Sequence, residues 1–406
     1  MVFHTFLRVL TFLIFLSFWA KADTDTKGLA YLNNIRENAG LIKFKHNTAL
    51  EKAASSHAKY LILNQVYGHT EKRSSIAYTG STPAKRVLKA GYPSTFVMEN
   101  LSINSVNPEK SVDTLFSAIY HRFVFLDFDK DEIGLGSYES KKKRRKKSAH
   151  VYNLGSQSIS KLCSQTFIMQ SGNYYIKKVC EDSDKMIPES LFEKKKEMVQ
   201  RKNTDVVLFP YPGQNNIWPA FYKETPDPLP YYDVSGYPVS VQFNPANYKN
   251  VQLKSFRLYD ASGKELEKTK ILQQNNDHNH IFTKLQFALM PLKRLDFSQR
   301  YTAEFKAIAD GKLIQKSWTF RTTELKEKVY TITEDRTDIK INAGTSIVLY
   351  IVPGSKKNIV RSYRKRGDIK VVFLDQNTMK ITAPSRATSR KVSLDFGRRK
   401  VFFTIQ

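Results

Sequence analysis

Three side chains that can act as acids, bases or metal ligands lie within one stretch of the sequence, residues 57–136. His69 follows a glycine, Glu99 lies in a short polar segment, and His121 falls near the end of a predicted helix. Residues at such turns and helix ends can meet in one cleft although they are far apart in sequence. Two imidazoles and a carboxylate can hold a divalent ion and leave a position open for water, as catalytic zinc sites do. We therefore expect His69 and His121 to bind a divalent metal, with zinc the preferred ion, beside Glu99.

The same three residues also allow interpretations without a metal. Glu99 could orient one imidazole and raise its basicity. The sequence contains no Gly-x-Ser-x-Gly nucleophile motif, and neither cysteine lies beside these histidines. A catalytic site, a binding cleft without turnover and a polar network that only holds the cleft walls therefore stay open. His57 lies on the buried face of a predicted helix, and we assign it to the core.

The apolar periodicity predicts the elements that position these side chains. A capping box of Thr48 and Glu51 begins the second of four helices. The fourth begins at Asn107-Pro108 and carries His121 near its end. The predicted helices cover residues 26–38, 48 to about 61, 83–90 and 108–122, and the strands 133–136 and 149–154 follow.

The order of these motifs resembles the CAP superfamily, the cysteine-rich secretory, antigen 5 and pathogenesis-related proteins, in its bacterial secreted form. The resemblance covers residues 28–156. It rests on Leu32-Asn33, Arg36, Gly40-Leu41, His57 with Tyr60, His69, Arg86 with Gly91-Tyr92, Glu99-Asn100 and His121-Arg122.

This resemblance implies an α-β-α sandwich in which two histidines and one or two acidic residues line a central cleft. By resemblance the cleft residues are His69, Glu99 and His121. The second acidic residue of the family has no clear match, since Glu71 and Asp113 are only loose candidates. Leu115-Phe116 stands where the family usually has a tryptophan.

Export is indicated at the start of the sequence. Residues 1–22 have a basic residue, an apolar run and a small-x-small cleavage site, which is typical of a signal peptide. No later stretch is apolar enough to cross a membrane. In an exported chain, Cys163 and Cys180 are expected to form a disulfide that closes an 18-residue loop, which would contribute about 3 kcal/mol.

The formal charge of +27 favours an anionic partner. For an exported protein we expect membrane headgroups, lipopolysaccharide or a wall polymer rather than nucleic acid. The excess is concentrated in two regions away from the three cleft residues. One is the run Lys141–Lys147, which is either a solvated loop or an adhesive one. The other is the C-terminal region, where residues 327–406 hold 17 Lys and Arg against 7 Asp and Glu.

The domain organisation follows from changes in pattern, and the fold class is α+β. After residue 206, alternating apolar and polar positions broken by turns predict β-sandwiches. The segment Ser317–Thr323 resembles the last strand of bacterial Ig-like domains. The predicted divisions are a signal peptide at 1–22, a CAP-like domain at 23–182, a charged helical linker at 183–205, an Ig-like sandwich at 206–325 and a small basic β-domain at 326–406.

We therefore expect an exported protein of the bacterial cell envelope, located in the periplasm, on the outer surface or outside the cell. It would bind an anionic envelope component or a small ligand through the His/Glu cleft and the basic surfaces. The alternative is a metal-assisted hydrolase that acts on cell-wall material or protein.

Overall fold

The computed structural model describes residues 25–142, 145–356 and 359–406, with side chains except at 389–391. The expected signal peptide, residues 1–22, lies outside the described residues. The fold is α+β, as predicted, with helices confined to the first half of the chain. Within these ranges, the structure contains no helix that combines the length and the apolar character needed to cross a membrane.

The N-terminal part of the fold is a four-stranded sheet between two layers of helices. The sheet order is β1-β3-β4-β2, with β1 parallel to β3 and the other pairs antiparallel. The helices are α1 at residues 25–38, α2 Thr48–Asn64, α3 Pro83–Lys89, α4 Pro108–Ser117 and α5 Ile119–Phe125. The strands are β1 Lys45–His46, β2 Met98–Ile103, β3 Glu132–Glu139 and β4 Ser148–Gly155. Glu99 therefore lies in the sheet, not in the polar segment that we expected.

Two glycines of β3 allow α2 to lie directly on the sheet. A Cβ atom added at Gly134 would be 1.9 Å from the backbone nitrogen of Glu51, and one added at Gly136 would be 2.1 Å from that of Ser55. Any side chain at either position would force the helix away from the sheet. This close approach brings the middle of α2, with His57, over the centre of the domain.

The start of α2 differs from the predicted capping box. The N-cap is Asn47, whose side-chain oxygen accepts hydrogen bonds from two backbone N–H groups of the first turn. Thr48 is already helical, so it cannot act as the cap. Glu51 instead accepts a hydrogen bond from Nε2 of His46 at 2.7 Å. The helix was predicted correctly, but its cap was not.

The predicted fourth helix is two helices, which is a correction to the sequence analysis. Ala118 has extended backbone angles and separates α4 from α5. Consequently His121 lies in the first turn of a new helix rather than near the end of a long one. The sequence does not show this break, because Ala118 is a good helix former and neither glycine nor proline is present.

A two-sheet β-sandwich, called here the middle sandwich, occupies residues 206–321. One sheet has the order β12-β13-β10-β7 and the other β11-β14-β15. Asp310-Gly311 forms the turn that joins β14 to β15, and Trp318 and Phe320 alternate along β15 and are both buried in the core. The strands are β7 Val206–Phe209, β8 Ala220–Phe221, β9 Ser235–Gly236, β10 Val239–Phe243, β11 Val251–Tyr259, β12 Thr269–Leu272, β13 Gln286–Pro291, β14 Arg300–Ala309 and β15 Lys312–Arg321.

The segment between β4 and the middle sandwich is packed against its neighbours. It contains α6 Gln157–Ser160, a 3-10 turn at Lys161–Ser164, β5 Tyr175–Ile176, β6 Ile187–Pro188 and α7 Glu189–Gln200. Phe192 and Val199 of α7 are buried, and Gln200 donates a hydrogen bond to Asp129 at 2.6 Å. The charged helix expected within residues 183–205 is α7, and its buried apolar side chains pack it against the neighbouring elements.

Cys163 and Cys180 form a disulfide in this segment, with their Cα atoms 5.5 Å apart. Cys180 lies in a small apolar cluster with Leu162, Val179 and Phe192. The bond therefore ties the loop back to the body of the domain.

A second sandwich, called here the C-terminal sandwich, occupies residues 329–405. Its sheets have the orders β16-β18-β21-β20 and β17-β23-β22-β19. The strands are β16 Val329–Ile332, β17 Arg336–Ile341, β18 Ser346–Ile351, β19 Arg364–Arg366, β20 Lys370–Phe373, β21 Thr378–Thr382, β22 Thr388–Asp395 and β23 Lys400–Ile405. The β-structure predicted for this basic region is confirmed.

The two sandwiches meet through polar and aromatic side chains. Asp375 accepts hydrogen bonds from the indole of Trp218, at 3.1 Å, and from the hydroxyl of Tyr222. The guanidinium of Arg294 lies 3.6 Å from the ring centroid of Tyr350. The loop that carries Asp375 is thereby held against the edge of the middle sandwich.

Candidate functional site

His69 and Glu99 are in direct contact in the structure. Nδ1 of His69 lies 2.9 Å from Oε1 of Glu99. The same carboxylate accepts hydrogen bonds from the Arg86 guanidinium at 2.8 and 2.7 Å. Arg86 and Glu99 are buried, whereas 44% of the His69 side chain is exposed. A partly exposed imidazole is therefore hydrogen-bonded to a buried ion pair.

The charge state of Glu99 follows from its surroundings. Burial alone would raise its pKa, but the hydrogen bond from His69 and the charge of Arg86 outweigh burial, so the pKa lies below its ordinary value. Glu99 is therefore ionised at neutral pH and acts as an acceptor. In the neutral form of the His69 ring, Nδ1 then carries the proton and Nε2 has the lone pair.

A second carboxylate, Glu71, lies behind this pair. Nδ1 of His57 lies 2.9 Å from Glu71, and the other ring nitrogen lies 3.0 Å from the carbonyl oxygen of Gly68. The backbone N–H of Thr79 also donates to Glu71, at 2.6 Å. Burial raises the pKa of Glu71, but these hydrogen bonds lower it more, and the net direction is down. His57 is thus a hydrogen-bonded core residue, as expected, and it supports the loop that carries His69.

His121 pairs with a residue from a different part of the chain. Its Nδ1 atom lies 2.7 Å from Oε2 of Glu224, which belongs to the loop after β8 of the middle sandwich. The Glu224 carboxylate also accepts the backbone N–H of Tyr120 at 3.1 Å and that of His121 at 3.4 Å. Both residues are buried. Glu224 therefore caps α5 and orients the imidazole at the same time.

The residues on either side of His121 also form hydrogen bonds to the middle sandwich. The hydroxyl of Tyr120 donates to Asp277, and the guanidinium of Arg122 donates to Ser240 at 3.0 Å. Arg122 also lies 4.9 Å from the ring centroids of Phe209 and Tyr237. Three consecutive side chains of α5 therefore contact the middle sandwich, so this helix is positioned by two domains.

The structure brings His69 and Glu99 together but places His121 on a different carboxylate. In the described ranges, no hydrogen bond or ion pair joins His121 to His69 or to Glu99. Among the same residues, no group of three or more His, Cys, Asp or Glu side chains could hold a metal ion.

These residues do not fit the expected zinc site. Glu99 is neutralised by Arg86, and the two histidines are hydrogen-bonded to different carboxylates. Within the part of the chain that the structure describes, no third His, Cys, Asp or Glu side chain completes the three-ligand set that such a site requires.

His121 and Glu224 line a cavity of about 590 Å³ that is formed by three parts of the chain. The N-terminal domain contributes Tyr67 and the end of β2, and the middle sandwich contributes Trp218. The C-terminal sandwich contributes Asp375 and its neighbours. The lining combines aromatic, hydroxyl and charged groups, which is typical of a binding pocket. His69 does not line it.

The basic run Lys141–Lys147 is anchored beside this cavity. The backbone N–H of Lys147 donates to the side chain of Asn104 at 2.7 Å, and that side chain donates to the carbonyl of Arg145 at 3.2 Å. Asn104 is also part of the cavity wall. The side chains of Lys141, Lys142, Arg145 and Lys147 are exposed, and residues 143 and 144 lie outside the described part. Exposed positive charge therefore lies close to the cavity.

The four-stranded sheet between two layers of helices is the α-β-α arrangement that the CAP resemblance implied. Residues 29–154 match the family model described as the cysteine-rich secretory protein family, CAP. The N-terminal domain of this chain is therefore a CAP domain. No curated protein matches the chain.

The chain is similar to two solved bacterial structures. One is an extracellular protein containing an SCP domain from Bacillus anthracis str. Ames, at 15% identity over 34% of this chain and 41% of that chain, with a TM-score of 0.30. The other is an outer surface protein from Borrelia burgdorferi, at 20% identity over 32% of this chain and 88% of that chain, with a TM-score of 0.27. Both likenesses are confined to about a third of this chain, and the chain matches less than half of the Bacillus anthracis protein.

Sequence reasoning missed the structural roles of two residues. Arg86 was included in the family match, but its pairing with Glu99 was not predicted. A short helix that begins at Thr82 and carries an arginine one turn later gave the available signal. Glu224 gave no signal, because it lies in an irregular proline-rich segment of another domain.

Proposed function

We propose that this protein is exported to the bacterial cell envelope and binds an anionic component there without chemical turnover. The basic loop that begins at Lys141 would contact the anionic surface, and the cavity beside His121 would receive part of the ligand. The observation that supports this proposal is the position of Asn104. The side chain of Asn104 accepts a hydrogen bond from the backbone of Lys147, at the end of the basic loop, and Asn104 also forms part of the cavity wall. Positive charge and a ligand-sized cavity therefore share one face.

The arrangement of the histidines supports binding over catalysis. Each imidazole is held by a different carboxylate, and within the described residues neither histidine is hydrogen-bonded to a serine or cysteine nucleophile. The pairs instead stabilise their own surroundings, Glu99 with Arg86 and Glu224 with the start of α5.

The export part of the proposal rests on the signal-like sequence at residues 1–22 and on the disulfide between Cys163 and Cys180. Disulfides persist in oxidising compartments and are rare where thiols are kept reduced. The periplasm, the outer surface and the extracellular space all meet this condition.

The alternative function is hydrolysis of wall material or protein, and one observation favours it. His69 is partly exposed, and an ionised carboxylate fixes its Nδ1–H, so Nε2 is available as a base towards solvent. A water molecule at Nε2 could be activated in this way.

A paired assay tests the proposal against the alternative. Purified full-length chain would be mixed with phosphatidylcholine vesicles with and without phosphatidylglycerol, at rising salt, and separately with wall fragments and peptides. We expect binding only to the anionic vesicles, with a loss of affinity as salt rises, because exposed charges act over a Debye length of about 8 Å at physiological salt. Turnover that His69→Ala abolishes would establish the hydrolase and contradict the proposal.

A further inference from the structure

A second cavity lies in the C-terminal sandwich, away from the CAP domain. Its volume is about 480 Å³. Three arginines line it, Arg361, Arg398 and Arg399, and its described lining includes no aspartate or glutamate. The remaining wall is apolar or neutral and includes the ring of Phe396 and the segment Pro353-Gly354.

Most of the positive charge of this pocket is not neutralised by neighbouring acidic groups. Arg398 pairs with Asp335 at 2.8 Å, but both side chains are more than half exposed, so this ion pair contributes little. Nε of Arg399 donates to the carbonyl of Thr333 at 3.1 Å, which fixes the side chain without neutralising it. Among the described residues, Arg361 has no ion-pair partner. Two uncompensated guanidinium groups therefore face one concave surface.

The pocket is built on a rigid base. Asn377 lines it and is buried, and its side chain donates to the carbonyl of Ile351 at 2.9 Å and accepts from the N–H of Val360 at 3.4 Å. These bonds connect the end of β18 to the strand-free segment that carries Arg361. Arg361 is thus presented from a segment that is hydrogen-bonded to Asn377, and Arg398 and Arg399 from the turn between β22 and β23.

We infer that this pocket binds the sulfate or phosphate group of an acidic sugar. Guanidinium groups form charge-assisted, bidentate hydrogen bonds to such oxyanions. A sugar ring next to the charged group could pack on the partly buried ring of Phe396. The concave shape favours a narrow glycan chain over a flat bilayer. This site is independent of the proposed function, because it does not include the basic loop or the cavity beside His121.

The test is binding of the full chain to dextran sulfate, with neutral dextran as the reference, measured by fluorescence anisotropy at physiological salt. The pocket variant is Arg361→Ser with Arg399→Ser. The matched control is Arg366→Ser with Arg386→Ser, which removes the same charge from exposed positions of the same sandwich outside the pocket. We expect the pocket variant to bind about tenfold more weakly and the control to change by less than about twofold.

Two further comparisons distinguish specific binding in the pocket from nonspecific attraction and from binding to a lipid surface. Arg361→Lys with Arg399→Lys keeps the net charge and should still lose several-fold in affinity, because lysine cannot make the bidentate contact. Unchanged melting temperatures would show that all variants are folded. Equal losses in the pocket and control variants would overturn the inference, since they would indicate nonspecific attraction. So would a pocket variant that loses binding to phosphatidylglycerol vesicles but keeps binding to dextran sulfate.

Discussion

The two histidine and carboxylate pairs of this protein are assembled in different ways. The pair of His69 and Glu99 belongs entirely to the CAP domain, where Arg86 neutralises the buried acid. The pair of His121 and Glu224 joins residues 103 positions apart, from two domains. The first pair is therefore a property of the CAP fold, whereas the second exists only when the middle sandwich is docked.

The second pair brings an acidic residue of another domain into the cavity beside His121. Sequence reasoning left the second acidic residue of the family unassigned, with Glu71 and Asp113 as loose candidates. Glu71 is bound to His57, and Asp113 accepts a hydrogen bond from Tyr31 at 2.7 Å. The acid that contacts His121 is supplied by the next domain. The CAP domain supplies most of the residues that line the cavity, but alone it would lack this carboxylate and the part of the wall formed by the two sandwiches.

The largest effect on stability is expected from removing the positive charge of Arg86, which neutralises Glu99 of the first pair. Arg86→Met would leave Glu99 and Glu71 buried near each other without the guanidinium. Breaking a buried ion pair by removing one partner costs about 3–5 kcal/mol. We expect the free energy of unfolding, measured by urea denaturation, to fall by about that amount. Arg73→Met is the control at an exposed position and should cost less than about 0.5 kcal/mol. A small loss at Arg86 would show that the ion pair is not a structural requirement.

A somewhat smaller effect is expected from breaking the pair between domains. Glu224→Ala removes the acceptor for the His121 ring and for two backbone N–H groups of α5. Hydrogen bonds to charged groups contribute about 1.5–3 kcal/mol, so we expect a loss of about 2 kcal/mol in the free energy of unfolding. Glu267→Ala, at an exposed position of the same sandwich, should be nearly neutral. Equal stability of the two variants would mean that Glu224 does not hold the domains together.

The first pair also predicts a direction for the pH dependence of stability. Both Glu99 and Glu71 have pKa values below their ordinary values in the folded state. Their contribution is therefore present above an unfolded pKa of about 4.3 and is lost as pH falls through the lower folded pKa. We expect the free energy of unfolding to decrease on acidification below about pH 4, and Glu99→Gln to flatten this decrease. A wild-type slope in Glu99→Gln would assign the acid sensitivity to other groups.

The smallest effect is expected at the exposed member of the first pair. His69→Ala removes one hydrogen bond to Glu99, but water can replace it at a side chain that is 44% exposed. We expect a loss of about 1 kcal/mol or less in thermal unfolding experiments, and no change in binding to anionic vesicles. A loss as large as that of Arg86→Met would show that the imidazole is part of the buried network.

The sequence predicted the helices of the CAP domain and the β-structure that follows it because their signals are local. Helix periodicity and the alternation of apolar and polar positions after residue 206 each depend on neighbouring residues. The two glycines of β3 were noted as part of a strand, but their role beneath α2 depends on a contact with another element.

The features that escaped prediction depend on distant residues. The break at Ala118 is stabilised by Glu224, which accepts the N–H groups of the residues that follow the break. No local pattern distinguishes a helix that continues from one that is capped by another domain. The metal site expected at His69 and His121 was inferred from the types of these residues, which do not show that His121 is hydrogen-bonded to Glu224 of another domain.

The central claim is that the basic loop beside the cavity mediates binding to an anionic envelope surface. It is tested most directly by comparing two variants that each lose four positive charges. One is Lys141→Ser, Lys142→Ser, Arg145→Ser and Lys147→Ser. The other carries serine at four exposed lysines of the middle sandwich, Lys254, Lys306, Lys312 and Lys316.

Binding of both variants to phosphatidylglycerol vesicles would be measured by co-sedimentation at physiological salt. Each basic residue that engages an anionic membrane contributes about 1 kcal/mol, so we expect the loop variant to bind at least about tenfold more weakly than the wild type. The control should lose less than about threefold, because its charges lie on a different surface and are screened. Equal binding by the loop variant and the wild type would contradict the account.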